Sequence, residues 1–113
     1  MSEKEIIKHP ATKEEFNELI SGNKPVLVDF FATWCGPCKM MEPILDDMVK
    51  NYKNINKIEI VKANTDVLRE VALDFGVMSL PTFMFFKDGK PVEKYIGMRS
   101  QADLEDKLNE LVN

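Results

Sequence analysis

Val26-Leu27-Val28-Asp29-Phe30-Phe31 is an almost unbroken apolar run, and it constrains the fold more than any other segment. Too short for a buried helix and preceded by Pro25, it reads as a strand. Its lack of polar alternation requires cover on both faces, as for an interior strand of an α/β sheet. Directly after it stand the chain's only two cysteines, in Trp34-Cys35-Gly36-Pro37-Cys38-Lys39. A helical pattern then runs toward Tyr52, with Met41, Ile44, Leu45, Met48, Val49 and Tyr52 forming a broad apolar stripe. Both sulfurs therefore belong to a helix N-terminus, where free backbone N–H groups and the macrodipole favour a thiolate. The thiolate is the reactive form of cysteine.

Other uses of two close cysteines can be weighed. A structural zinc site needs about four protein ligands and a catalytic one about three; the chain has one histidine, His9, in a charged stretch. Carboxylates could complete a site, but their spacing suggests none. Iron–sulfur clusters usually take four cysteines. A purely structural disulfide would close too short a loop to remove much unfolded-state entropy. A redox pair is the reading the residues favour, with metal and structural roles kept as alternatives.

With 113 residues, 44% of them hydrophobic, the chain supports one domain, 1–113, with a real core. A net charge of −4 without a basic cluster argues against nucleic-acid binding. No apolar run is long enough to span a bilayer, and Met1-Ser2-Glu3-Lys4-Glu5 lacks the apolar stretch of a signal peptide. The expectation is a cytoplasmic, reducing compartment, where a cysteine pair cycles between dithiol and disulfide.

The remaining elements follow from local signals. Glu5-Ile6-Ile7-Lys8 is a weak first strand. Thr12-Lys13-Glu14-Glu15 is a capping box opening a helix with Phe16, Leu19 and Ile20 that stops near Gly22. Pro43 should kink the helix after Cys35. Residues 58–63 form the next strand, and Asp66 can cap a short helix carrying Val67, Val71 and Phe75 and ended by Gly76. Thr82–Phe86, the turn Lys87-Asp88-Gly89-Lys90 and Val92–Ile96 make an antiparallel hairpin. Ser100 caps a last helix with Leu104, Leu108, Leu111 and Val112. The order β-α-β-α-β-α-β-β-α implies a mixed sheet with helices on both faces. Right-handed crossovers put Val26–Phe31 inside it, with Cys35 at the sheet edge where open α/β folds carry their sites.

In this order and spacing the motifs resemble the thioredoxin family over nearly the whole chain. Val28-Asp29-Phe30 before Trp34-Cys35-Gly36-Pro37-Cys38-Lys39 is similar to its active-site signature. Pro43, Asn64-Thr65-Asp66, Leu80-Pro81-Thr82, Lys87-Asp88-Gly89 and Gly97 match further family positions. The resemblance implies the thioredoxin fold, a central mixed sheet of about five strands flanked by four helices. It also implies a redox-active Cys35–Cys38 disulfide in a general protein-disulfide reductase. Cys35 would be the nucleophile, better exposed than the resolving Cys38. Asp29, an acid in an apolar strand, would have a raised pKa and accept the Cys38 proton through a water, with Lys62 as its partner. Surface exposure remains the alternative for Asp29, and a solvated strand lysine for Lys62. Pro81 would be cis, and Trp34, Gly36, Pro37, Leu80, Pro81, Gly97 and Met98 would form the substrate surface. Leu80 and Met98 fit equally well as core residues. Asp66 would either cap its helix or bond the Trp34 indole.

Two positions depart from the family's habit: Phe31 stands where tryptophan is usual, and Met98 where a small residue is common. The implied partners are a thioredoxin reductase and disulfide-containing clients, with a monomeric chain and neither metal nor organic cofactor. Two other functions fit the fold. An oxidase or isomerase is disfavoured by Pro37, and a docking subunit without turnover by the presence of both cysteines and Asp29.

Overall fold

The computed structural model describes residues 6–113. The expected strand start at Glu5 and the charged opening Met1–Glu5 lie outside the described residues. The elements run β1 (Ile7–Lys8), α1 (Lys13–Ile20), β2 (Val26–Phe31), α2 (Gly36–Asn51), a short 3-10 turn (Ile55–Lys57) and β3 (Glu59–Asn64). They continue through α3 (Arg69–Asp74), β4 (Thr82–Lys87), β5 (Lys90–Ile96) and α4 (Gln101–Val112). The strands form one five-stranded sheet in the order β1-β3-β2-β4-β5. β2 is its centre, parallel to β3 and antiparallel to β4.

Alternation of side chains along β2 assigns its residues to two cores. Val26, Val28 and Phe30 join Phe16 and Ile20 of α1 and Val71 of α3. Leu27 joins Met41, Leu45 and Met48 of α2 and Leu104 and Leu108 of α4. The sheet is therefore covered on both sides, as the continuous apolar run requires.

Local chemistry sets the element ends. The Glu15 backbone N–H donates to Thr12 Oγ1 at 3.1 Å. The return bond of the capping box lands one residue early: the Ala11 N–H donates to Glu15 Oε2 at 2.8 Å. Ser100 caps α4 through the Asp103 N–H. In the hairpin, Asp88 and Gly89 both have positive φ, 54° and 80°, the pairing a two-residue turn needs to match strand twist. β5 begins at Lys90, earlier than the expected Val92. It includes Pro91, tolerated on an edge strand beside the register shift at Phe85/Phe86.

α3 corrects one expectation. It starts at Arg69 after Leu68, and no side chain caps it. Asp66 lies outside the helix, with its carboxylate engaged elsewhere.

Candidate active site

The chain leaves the C-terminal end of β2 and turns at Ala32–Trp34 into α2, so the centre of the sheet delivers the cysteines to the helix N-terminus. Cys35 is the N-cap residue, and Gly36 and Pro37 fill the first helical positions. Proline there sacrifices no bond, because the first N–H groups of a helix have no partner within it. A disulfide joins Cys35 to Cys38, with their Cα atoms 5.3 Å apart. The Cys38 N–H donates to Cys35 Sγ at 3.2 Å. That donor and the helix dipole would stabilise negative charge on the Cys35 sulfur once the disulfide opens.

Cys35 was expected to be the better exposed, yet exposure separates the two only slightly, at 5% against 3%. Location separates them better. Cys35 lines an open groove of about 470 Å³ that Cys38 does not reach. Trp34, Gly36, Pro37 and Leu80 line it as well. So do Thr65, which the Asn64-Thr65-Asp66 motif contains without a site role, and Val77 and Met78, which the sequence does not single out. The signal available for the last two was an apolar pair in a loop after the Gly76 helix stop, since loops run over the surface.

Trp34 is 70% exposed, and its indole N–H donates to Asp66 Oδ2 at 2.9 Å. Of the two roles open to Asp66, the indole bond is the one present. The Leu80–Pro81 peptide is cis, and the Pro81 carbonyl accepts from the Gly97 N–H at 2.8 Å. Gly97 has φ +90°, a conformation that favours glycine. Met98 beside it is exposed rather than core. That bond ties Pro81 to Gly97 just beyond the β4–β5 pairing, with Met98 next in the chain, and none of the three lines the groove itself.

Asp29 is 1% exposed, and neither of its carboxyl oxygens has a hydrogen-bond partner in the protein. It shares the α2 face of the sheet with Leu27, beneath the helix that carries Cys38. Burial pushes its pKa up to about 7; Lys62 opposes the rise, and Glu42 adds to it. Lys62 is its cross-strand partner in the β2–β3 register. The lysine's nearest acid, however, is Glu42, with Nζ 3.9 Å from Oε1. Its ammonium also stands over the Phe31 ring, 4.4 Å from the centroid. Neither Glu42 nor the Phe31–Lys62 contact was read from the sequence. Both cross between elements about 20 or more residues apart, beyond any local pattern.

Among the described residues no cluster of histidine, cysteine and acidic side chains could hold a metal ion. No described helix is long and apolar enough to cross a membrane.

Comparison with known proteins agrees with this geometry. The thioredoxin family profile matches residues 7–110. A thioredoxin of Alicyclobacillus acidocaldarius is 42% identical over 101 residues, covering 89% of this chain and 94% of that protein. A bifunctional thioredoxin reductase/thioredoxin of Mycobacterium leprae is 41% identical over 97 residues, 86% of this chain but only 21% of that longer protein. Among solved structures, oxidised mitochondrial thioredoxin 3 of Saccharomyces cerevisiae superposes with a TM-score of 0.82 at 36% identity, covering 93% of this chain and 95% of that one. With a cysteine pair on a helix N-terminus, a cis-proline nearby and a buried acid under the helix, the chain belongs to the thioredoxin family.

Proposed function

We propose that the chain is a general protein-disulfide reductase in which Cys35 attacks and Cys38 resolves. The observation that carries this reading is the asymmetry of the pair: Cys35 opens onto the groove and receives the Cys38 N–H, while Cys38 faces inward. In the reduced protein the Cys35 thiolate attacks one sulfur of a client disulfide and expels the other as a thiolate. Cys38 then loses its proton to Asp29 and attacks Cys35 Sγ. The second client sulfur leaves, so the client gains two electrons and the Cys35–Cys38 disulfide forms.

An acid with a pKa near 7 suits the proton step, since it can accept and return a proton near neutral pH. Lys62 moderates that acid across the strand pair. The apolar groove with Trp34, Gly36, Pro37 and Leu80 receives the client chain, and Pro81, Gly97 and Met98 extend the surface on the β4–β5 side. A thioredoxin reductase returns the two electrons; the fusion of both activities in the M. leprae relative favours that pairing. The same reading has the chain act as a monomer in the cytoplasm, carrying electrons between proteins, with no metal or organic cofactor. A cysteine pair that must be re-reduced suits that compartment.

The test is a disulfide-reduction assay on a protein substrate, driven in one series by dithiothreitol and in another by NADPH with a thioredoxin reductase. Catalytic turnover in both is expected. Stoichiometric binding of substrate without turnover would replace the reductase with a docking role.

A further inference from the structure

Lys62 stands opposite Asp29 on the same sheet face, where a close ion pair would be the ordinary outcome for a buried acid. Yet both Asp29 oxygens lack a hydrogen-bond partner. The lysine's ammonium is held instead between Glu42 Oε1 at 3.9 Å and the Phe31 ring at 4.4 Å. Glu42 lies on α2 one turn beyond Cys38, so the two residues share a helix face. The Lys62 side chain is only 12% exposed, against 54% for Glu42, so the acid draws the ammonium toward the surface.

We propose that Glu42 is a positioning residue of the redox site: with the Phe31 ring it anchors the Lys62 ammonium away from Asp29, leaving Asp29 free to accept the Cys38 proton. The proposal rests on the reading of Asp29 as that acceptor. A lysine paired directly with Asp29 would hold the acid ionised and make it a weak base. With Glu42 in place, Lys62 supplies a moderated field instead of a bond.

The charged groups that act on Asp29 come from two elements, Lys62 from β3 and Glu42 from α2. β4 pairs Phe83 with Asp29, and the core side chains α4 brings to this face are Leu104 and Leu108. His9 lies beyond Lys62, and burial and that same ammonium lower its pKa.

The experiment is an NMR titration of the Asp29 carboxyl carbon in the reduced protein. It compares wild type, Glu42→Gln, Glu42→Asp, Lys62→Met and the Glu42→Gln/Lys62→Met double variant. Glu42→Gln should lower the Asp29 midpoint by roughly half a pH unit, about threefold in proton affinity, because the ammonium can then approach the acid. Glu42→Asp should restore most of the wild-type midpoint. In the Lys62→Met background the effect of Glu42→Gln should fall to less than half, since only its direct repulsion of Asp29 remains. An equal shift with and without Lys62, or no downward shift, overturns the positioning role. The pH profile of Cys38 attack on a mixed disulfide separates the two readings. If the Asp29 midpoint moves and that profile does not, positioning stands and the proton-acceptor role falls.

Discussion

The two faces of β2 do opposite work. On the α1/α3 side, Val26, Val28 and Phe30 join an apolar cluster with Phe16, Ile20 and Val71. Phe16 packs there at ring-centroid distances of 6.0 Å from Phe30, 5.9 Å from Phe75 and 6.2 Å from Phe86. On the α2/α4 side the same strand presents Leu27, then Asp29, and the apolar packing gives way to an unpaired acid beside Lys62 and Glu42. One face stabilises the fold without chemistry. The other gives up stability to keep a buried acid beneath the helix that carries the cysteines, the acid to which the proposed mechanism gives the Cys38 proton. A strand covered on both sides can do this, because the intact face sets its position whatever the other face must hold.

The sharpest way to break the comparison is Phe16→Ala. Phe16 is fully buried with aromatic neighbours, so its loss should cost about 3–5 kcal/mol, read from urea unfolding. Turnover per folded molecule should stay near wild type. A large fall in turnover at full folding would mean that the apolar face also shapes the site.

Asp29→Ala should act in the opposite direction, and its sign depends on pH. An acid with a pKa of about 7 in the fold against 3.8 unfolded binds its proton more tightly when folded. Its contribution is therefore most favourable below about pH 4, declines as pH rises from 4 to 7, and is level above that. A difference of about three pH units corresponds to a decline of about 4 kcal/mol. The alanine variant should escape that decline and, after a modest cavity cost, be more stable than wild type by about 1–3 kcal/mol at pH 8. Below pH 4 the advantage should vanish or reverse. Stability curves that run parallel across this range would show that Asp29 is not a buried acid.

The smallest effect is expected at the rim, outside both cores. Asp66→Ala removes the acceptor of the Trp34 indole N–H, an exposed bond, and should change stability by less than about 1 kcal/mol. Its consequence should be a higher KM for client proteins with kcat little altered, as the freed indole wanders at the groove edge. An unchanged KM would remove Trp34 orientation from client recognition.

The α1/α3 face was the more legible of the two from sequence, and the reason is range. Apolar runs, the Thr12 and Ser100 caps and the Asp88-Gly89 turn act over a few residues, so the elements could be read in order. The cysteine pair was equally plain, because both sulfurs lie within one turn. Asp29 could be recognised as odd in its strand and Lys62 as its neighbour, but the contacts that hold the lysine could not be read. The Glu42–Lys62 contact joins a helix to a strand 20 residues on, and the Phe31 ring enters from a neighbouring strand. Asp66 was ambiguous for the same reason. Its local context suggested a helix cap, while its partner, Trp34, lies 32 residues away. Val77 and Met78 belong to a loop whose position depends on the whole sheet.

The central claim is the division of labour between the two sulfurs, and covalent trapping tests it most directly. Reduced Cys38→Ser and Cys35→Ser proteins would each be incubated with a disulfide-containing client, and mixed disulfides counted by intact mass under non-reducing conditions. Cys38→Ser should accumulate a stable adduct through Cys35, because the attack proceeds and the release does not. Cys35→Ser should give few or none, since Cys38 faces away from the groove. Equal trapping by both variants, or trapping by Cys35→Ser alone, would contradict the assignment of Cys35 as the attacking thiolate.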